Sequence, residues 1–209
     1  MAAVDRQPEI LDDDFGEAPR ILDLGPSIEL TDALFYDIAT RNEEFVMELN
    51  ERGQLEMMSP TGAKTGRRNT YLTVQLGNWT EEDGTGVSFD SSTGFKIARR
   101  LTRSPDAAWL LKTRWDALTP AEQEAFAPLC PDFVVELRSP NDRLDVLRKK
   151  LEQYLKHGAR LGWLIDPLNR QVLIYRPGAK EPDVLRDPSE VSGEDVLPGF
   201  TLPMEKIFA

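Results

Sequence analysis

Two short runs place carboxylates where strands would carry them into a core. SPDAAWLL, residues 104–111, sets Asp106 directly after Pro105, and CPDFVVELRSP, residues 130–140, sets Glu136 among Phe133, Val134, Val135 and Leu137. These apolar and β-branched neighbours favour a pleated, buried strand. An ionised Glu is costly there unless it is paired, hydrogen-bonded or bound to a metal. Two such strands could bring Asp106 and Glu136 to one rim of a sheet, where converging oxygens hold a hard divalent cation. Alternation along the second strand puts Glu136 and Arg138 on one face and Phe133, Val135 and Leu137 on the other. A plain Glu136–Arg138 ion pair is the competing reading.

The segment after this strand offers a basic partner. Asn141 or Asp142 can cap a helix whose apolar stripe is Leu144, Leu147, Leu151 and Tyr154, with Gly158 as its stop. At about 100° per residue, Lys150 falls roughly 80° from the centre of that stripe, and Lys149 falls on the opposite side. Lys150 can therefore lay its stem along the buried boundary and return its ammonium to the sheet rim, or simply snorkel to solvent. His157 and Arg160 flank the helix end, where cations complement the dipole, so His157 receives no catalytic role. His157 is also the sole histidine, which leaves the serines without a nucleophilic triad.

The elements that must position these residues alternate between strand and helix, which points to an α/β domain. Thr31 can cap a helix carrying Leu34, Phe35, Ile38, Phe45, Val46 and Leu49. LEMMS reads as a strand, residues 59–62 as a turn, and residues 65–79 as a helix with Leu72, Leu76 and Trp79. Residues 87–98 read as two strands separated by Ser91, Ser92, Thr93 and Gly94. Thr119, Pro120 and Glu122 form a capping box. LGWLID and QVLIYR suggest an antiparallel hairpin, and VLPGFTLPMEKIFA a Pro-punctuated edge segment.

A chain of 209 residues, 40% hydrophobic, can bury one sizeable core. Residues 1–26, with Asp12, Asp13, Asp14 and Glu17 among prolines, read as a flexible acidic arm, and residues 27–209 as a single domain. Cys130 has no partner for an internal disulfide, and no basic-then-apolar leader follows Met1, so a cytoplasmic protein is expected. No run approaches the roughly 20 apolar residues that span a bilayer, so no membrane partner is expected. The net charge of −11 argues against a surface coated for phosphate binding. Locally the balance reverses: Lys64, Arg67 and Arg68 cluster, and Lys96, Arg99, Arg100, Arg103, Lys112 and Arg114 have only Asp106 among them. These cations could track phosphates or form a solvated face.

SPDAAWL, PDFVVELRSPNDRL and LRKKLEQYLKHGARLGWLIDPLNRQVLIYRPG, with GQLEMMSPTGAKTG and FDSSTGFKI, resemble the Uma-type family of bacterial endonucleases. That family is a branch of the PD-(D/E)XK nuclease superfamily. The resemblance runs from about residue 30 to residue 180 and implies a restriction-endonuclease-like core, a mixed central β-sheet flanked by α-helices. By this resemblance Asp106 is the acid of the Pro-Asp motif, Glu136 that of the (D/E)XK motif, and Lys150 a lysine moved onto the following helix. It further implies metal-assisted hydrolysis of DNA phosphodiester bonds. Asp106, Glu136 and the Leu137 carbonyl would hold Mg²⁺ or Mn²⁺, with Lys150 orienting or deprotonating water or stabilising the oxyanion. Arg99, Arg100 and Arg138 would contact DNA phosphates, and a homodimer would allow both strands to be cut.

Two positions depart from the pattern. Arg138 stands where the superfamily has Lys and cannot serve as a base, and Lys64 and Thr65 follow the 59–62 turn where the family's pattern carries a His. With the acidic balance, Arg138 favours the alternative of a noncatalytic nuclease-like module for protein binding or regulation.

Overall fold

Phe133–Leu137 and Leu161–Asp166 are buried at every position, as strands covered on both faces must be. The computed structural model describes residues 20–25 and 27–209. In chain order its elements are β1 (Arg20–Leu22), α1 (Asp32–Arg41), β2 (Val46–Leu49), β3 (Leu55–Met58), α2 (Ala63–Asp83), β4 (Gly86–Asp90), β5 (Phe95–Ala98), β6 (Leu101–Arg103), β7 (Ala107–Leu111), α3 (Lys112–Trp115), α4 (Pro120–Glu124), β8 (Phe133–Leu137) and α5 (Leu144–Lys156). There follow β9 (Leu161–Asp166), β10 (Gln171–Tyr175), β11 (Asp183–Arg186), β12 (Glu190–Ser192), β13 (Thr201–Pro203) and α6 (Glu205–Phe208).

The central sheet has six strands in the order β11-β10-β9-β8-β7-β4. Only β8 and β9 run parallel, and α5 is the crossover that such a pair requires. The sheet is therefore mixed and flanked by helices, as the sequence implies. Leu72 and Leu76 of α2 pack on one face with Trp109, Phe133, Trp163, Phe200 and Ile207. Leu147, Leu151 and Tyr154 of α5 pack on the other with Val134 and Leu164. Gly162 lets α5 approach, because a Cβ there would meet Leu151 Cδ1 at 2.6 Å.

A second sheet, of five strands in the order β1-β3-β2-β6-β5, lies beyond α5. Met47, Leu49 and Leu55 pack on Phe35 of α1. Glu48 stands opposite Glu56 in the β2–β3 ladder, and by alternation both point to the other face, toward α5.

Several expectations are corrected. The first helix is capped by Thr31 but ends at Arg41, and Val46–Leu49 form a strand, which Asn42 and the turn after it separate from α1. Residues 87–98 do give two strands, yet β4 joins the six-stranded sheet and β5 the five-stranded one. The last segment is not confined to an edge: Phe200, Leu202, Met204, Ile207 and Phe208 enter the main core. Helix α5 starts after Arg143, with no side-chain cap, and the Asp142 carboxylate instead accepts the Ser139 N–H at 2.7 Å. Of the arm expected over residues 1–26, residues 1–19 and Pro26 lie outside the described residues, and Arg20–Leu22 pair antiparallel with β3. Among the described residues, no helix is long and apolar enough to cross a membrane.

Candidate active site

Strand pairing explains why Asp106 meets Glu136. β7 and β8 are antiparallel with Ala107 opposite Val135, so one residue beyond the ladder Asp106 comes opposite Glu136. Asp106 Oδ2 accepts the Leu137 N–H at 2.7 Å, and Oδ1 accepts Asn69 Nδ2 at 2.9 Å. The N–H and C=O of one strand residue face the same edge, so the Leu137 carbonyl also looks toward Asp106. Asn69 Oδ1 is buried without a hydrogen-bond partner.

Helix α5 supplies the opposing groups at the phase read from sequence. Lys149 is 72% exposed and pairs with Asp145, whereas the Lys150 side chain is only 12% exposed. Lys150 Nζ lies 2.9 Å from Glu48 Oε1 and 3.4 Å from Glu136 Oε2. One turn later, the Tyr154 hydroxyl donates to Glu136 Oε1 at 3.0 Å. Glu48 is held from a third direction by Arg103 Nη1 at 2.7 Å and by the Ser104 N–H at 2.9 Å. Arg103 also bonds Glu56 and Gln153.

The buried acids outnumber the bases in this cluster, and the titration behaviour follows. Burial pushes Glu136 up; Lys150 opposes this, but Asp106 and Glu48 add repulsion, and the carboxyl rises to about 8. Burial likewise raises Asp106 against the Leu137 N–H, Lys150 and Asn69. Burial alone would raise Glu48, yet Lys150, Arg103 and the Ser104 N–H outweigh it and hold the carboxyl below its ordinary value. Burial would lower Lys150, but Glu136 and Glu48 win, and its ammonium is held above the ordinary lysine range. Lys150 is thus a fixed positive charge and no proton acceptor at neutral pH.

Asp106, Glu136, Leu137 and Lys150 are therefore brought together, and the three arginines are not. Arg138 is 3% exposed and pairs with Asp166 at 3.0 Å, so it is bound into the interior rather than presented to a phosphate. Arg100 pairs with Glu29 at 2.8 Å, and its backbone N–H caps onto Asp32. It sits beside Gly53 in the β2–β3 turn, at the end of β3 remote from the 59–62 turn. Exposed Arg99 shares that end. The basic middle segment is largely consumed by ion pairs: Lys96 with Asp32, Arg103 with Glu48, Lys112 with Asp116 and Arg114 with Asp132. His157 is the C-cap of α5, in keeping with its expected role. Sequence reasoning missed Glu48, Asn69, Arg103 and Tyr154 as site residues; Tyr154, four residues after Lys150, carried a usable signal.

The donor set suits a hard cation: two buried carboxylates that repel each other, and a carbonyl on the same edge. Among the described residues, no group of three or more His, Cys, Asp or Glu is arranged to hold a metal, so that carbonyl and waters would have to complete the shell. Beside the carboxyls a cavity of about 310 Å³ opens between the turns at 59–62 and 139–143, with Glu48, Glu56 and Lys150 among its lining. Asp106 and Glu136 do not line it; Lys150 links them to it.

The Uma2 family, described as "Putative restriction endonuclease", matches residues 32–205. The chain belongs to the Uma2 family. A solved structure described as "a putative nuclease belonging to DUF820", from Anabaena variabilis ATCC 29413, superposes with a TM-score of 0.66 at 22% identity. The match covers 79% of the present Uma2 chain and 90% of that one, and it establishes the shared fold. No curated protein matches the chain.

Proposed function

We propose that this Uma2 chain is a divalent-metal-dependent endonuclease acting on DNA. The observation that carries the reading is the meeting of Asp106 and Glu136 at the end of the β7–β8 ladder, with the Lys150 ammonium 3.4 Å from Glu136. Asp106, Glu136 and the Leu137 carbonyl would hold the ion. Mg²⁺ or Mn²⁺ bound there supplies a Lewis acid that lowers the pKa of water and offsets phosphate charge. Asn69 fixes one Asp106 oxygen, and its own orphaned Oδ1 is available to accept a hydrogen bond from a water beside that carboxylate. Tyr154 fixes Glu136. Lys150 stabilises negative charge developing on the phosphate oxygens, since its raised pKa keeps it protonated.

The noncatalytic reading keeps one specific observation in its favour. The ammonium that should face substrate is already tied to Glu48 and Glu136, and Arg138 is tied to Asp166. Incubation of the purified chain with closed-circular and single-stranded DNA, with and without Mg²⁺ or Mn²⁺, separates the two. Cleavage that requires the metal and is lost in Glu136→Gln supports the nuclease; no cleavage under any of these conditions supports the module.

A further inference from the structure

Resting on the reading of this cleft as a DNA-handling site, we infer that its substrate is single-stranded DNA, with one unstacked nucleotide entering the cavity above Lys150. Access is the first ground. Glu48 and Glu136 are 0% and 3% exposed, so a scissile phosphate must be carried inward to meet them. Thr61 Oγ1 and Ser139 Oγ, both in the lining, hydrogen-bond at 3.2 Å and tie the two bordering turns together. A duplex holds its phosphates on a stiff outer surface. An unpaired strand can feed in one nucleotide, and unstacking costs least where the base is already unpaired.

The walls are the second ground. Met58 lines the cavity from β3, and Val146 and Leu147 line it from α5. Ladder register places Ile21, Val46 and Met58 on the same sheet face as Glu48 and Glu56. Ile21 and Val46 are 52% and 44% exposed, so an apolar ledge continues from the cavity to the surface. Base faces pack on apolar and thioether surfaces without regard to sequence.

Charge is the third ground. The lining holds Arg20, Arg143 and Lys150 together with Glu48, Glu56 and Asp142, while the middle basic segment is largely spent on intramolecular pairs and the chain carries −11 overall. Among the described residues, the cations of the lining are matched in number by its acids, and exposed Lys64 and Arg67 at the start of α2 add two more beside the 59–62 turn, a short patch rather than a row that tracks a duplex backbone. Affinity must come mainly from packing one or two bases, with few phosphate contacts.

Fluorescence anisotropy in EDTA would compare a fluorescein-labelled oligothymidylate, its duplex with oligoadenylate, and the matching oligouridylate. The single DNA strand should bind at least roughly tenfold tighter than the duplex, with a shallow salt dependence. Met58→Ser and, from the opposite wall, Val146→Ser should each weaken single-strand binding by roughly tenfold, the scale of one lost base-packing contact. Thermal unfolding would confirm that the variants are folded, and the wild-type comparison needs neither of them. Equal or tighter binding of the duplex, tighter binding of RNA, or indifference to both substitutions would overturn the inference. Mg²⁺-dependent cutting of duplex but not of single strands would also overturn it while leaving the endonuclease reading intact. Single-strand binding that depends on both walls, without cleavage of any DNA, would uphold the cavity's role and remove the endonuclease.

Discussion

Two buried ionic arrangements lie on either side of β8, and they are finished to different degrees. Arg138 and Asp166 face each other where parallel β8 and β9 end. Asp166 also accepts the Leu168 and Asn169 N–H groups and Asn169 Nδ2, and Arg138 donates to the Asp142 carbonyl. Every charge there has an opposite and a set of hydrogen bonds, so the pair fixes the β9–β10 turn. Around Lys150, by contrast, Glu48, Glu56, Glu136 and Asp106 share Arg103 and Lys150. The deficit of positive charge falls on Glu136, whose carboxyl is pushed to about 8. A charge balanced in place holds structure, whereas one left short of a counterion is prepared to receive one.

The comparison can be broken first at its structural side. Arg138→Met keeps much of the stem but strands the buried Asp166, and urea denaturation should show a loss of about 3–5 kcal/mol. A loss under about 1 kcal/mol would mean that Arg138 is not structural and restore it as a phosphate ligand. At the site, Lys150→Ala should lower single-turnover cleavage by roughly 10²-fold, the scale of a positioned electrostatic group, while Lys149→Ala stays close to wild type. Lys150→Arg should recover part of the rate, because a protonated Lys150 acts through charge. Equal effects of the two alanine variants would refute the helical-phase argument.

Smaller effects sharpen the contrast. Asn69→Ala should reduce cleavage roughly tenfold, the worth of one hydrogen bond to a charged group at about 1.5 kcal/mol. Glu136→Gln should change stability at pH 7 by less than about 1 kcal/mol. Burial and the neighbouring acids push the native carboxyl toward its neutral form, and the amide oxygen can still accept from Tyr154. Asp166→Asn in the balanced pair should cost more than Glu136→Gln; the reverse order would erase the distinction between the two regions.

What the sequence made legible was local. The apolar run around Glu136 identified β8, Pro105 marked the entry to β7, and the 3.6-residue period separated Lys150 from Lys149. Glu48 escaped because Phe45, Val46 and Leu49 fall at spacings that extend a helix as plausibly as they begin a strand. Its partners Arg103 and Lys150 come from β6 and α5, and no local pattern links them. Arg138 was placed on the correct face by alternation. Its true partner, Asp166, is delivered by the parallel β8–β9 register, in which Leu137 stands opposite Ile165. Pairings across a crossover are set by tertiary packing, so the core motif was readable and its surrounding charge network was not.

The central claim is that the unbalanced carboxyls are a cation site, and calorimetric titration of Mn²⁺ tests it most directly. Wild-type protein should bind the ion, Glu136→Gln should lose at least roughly tenfold in affinity while remaining folded, and Asp166→Asn, provided it remains folded, should bind as wild type does. Equal Mn²⁺ affinity in wild type and Glu136→Gln would contradict the assignment.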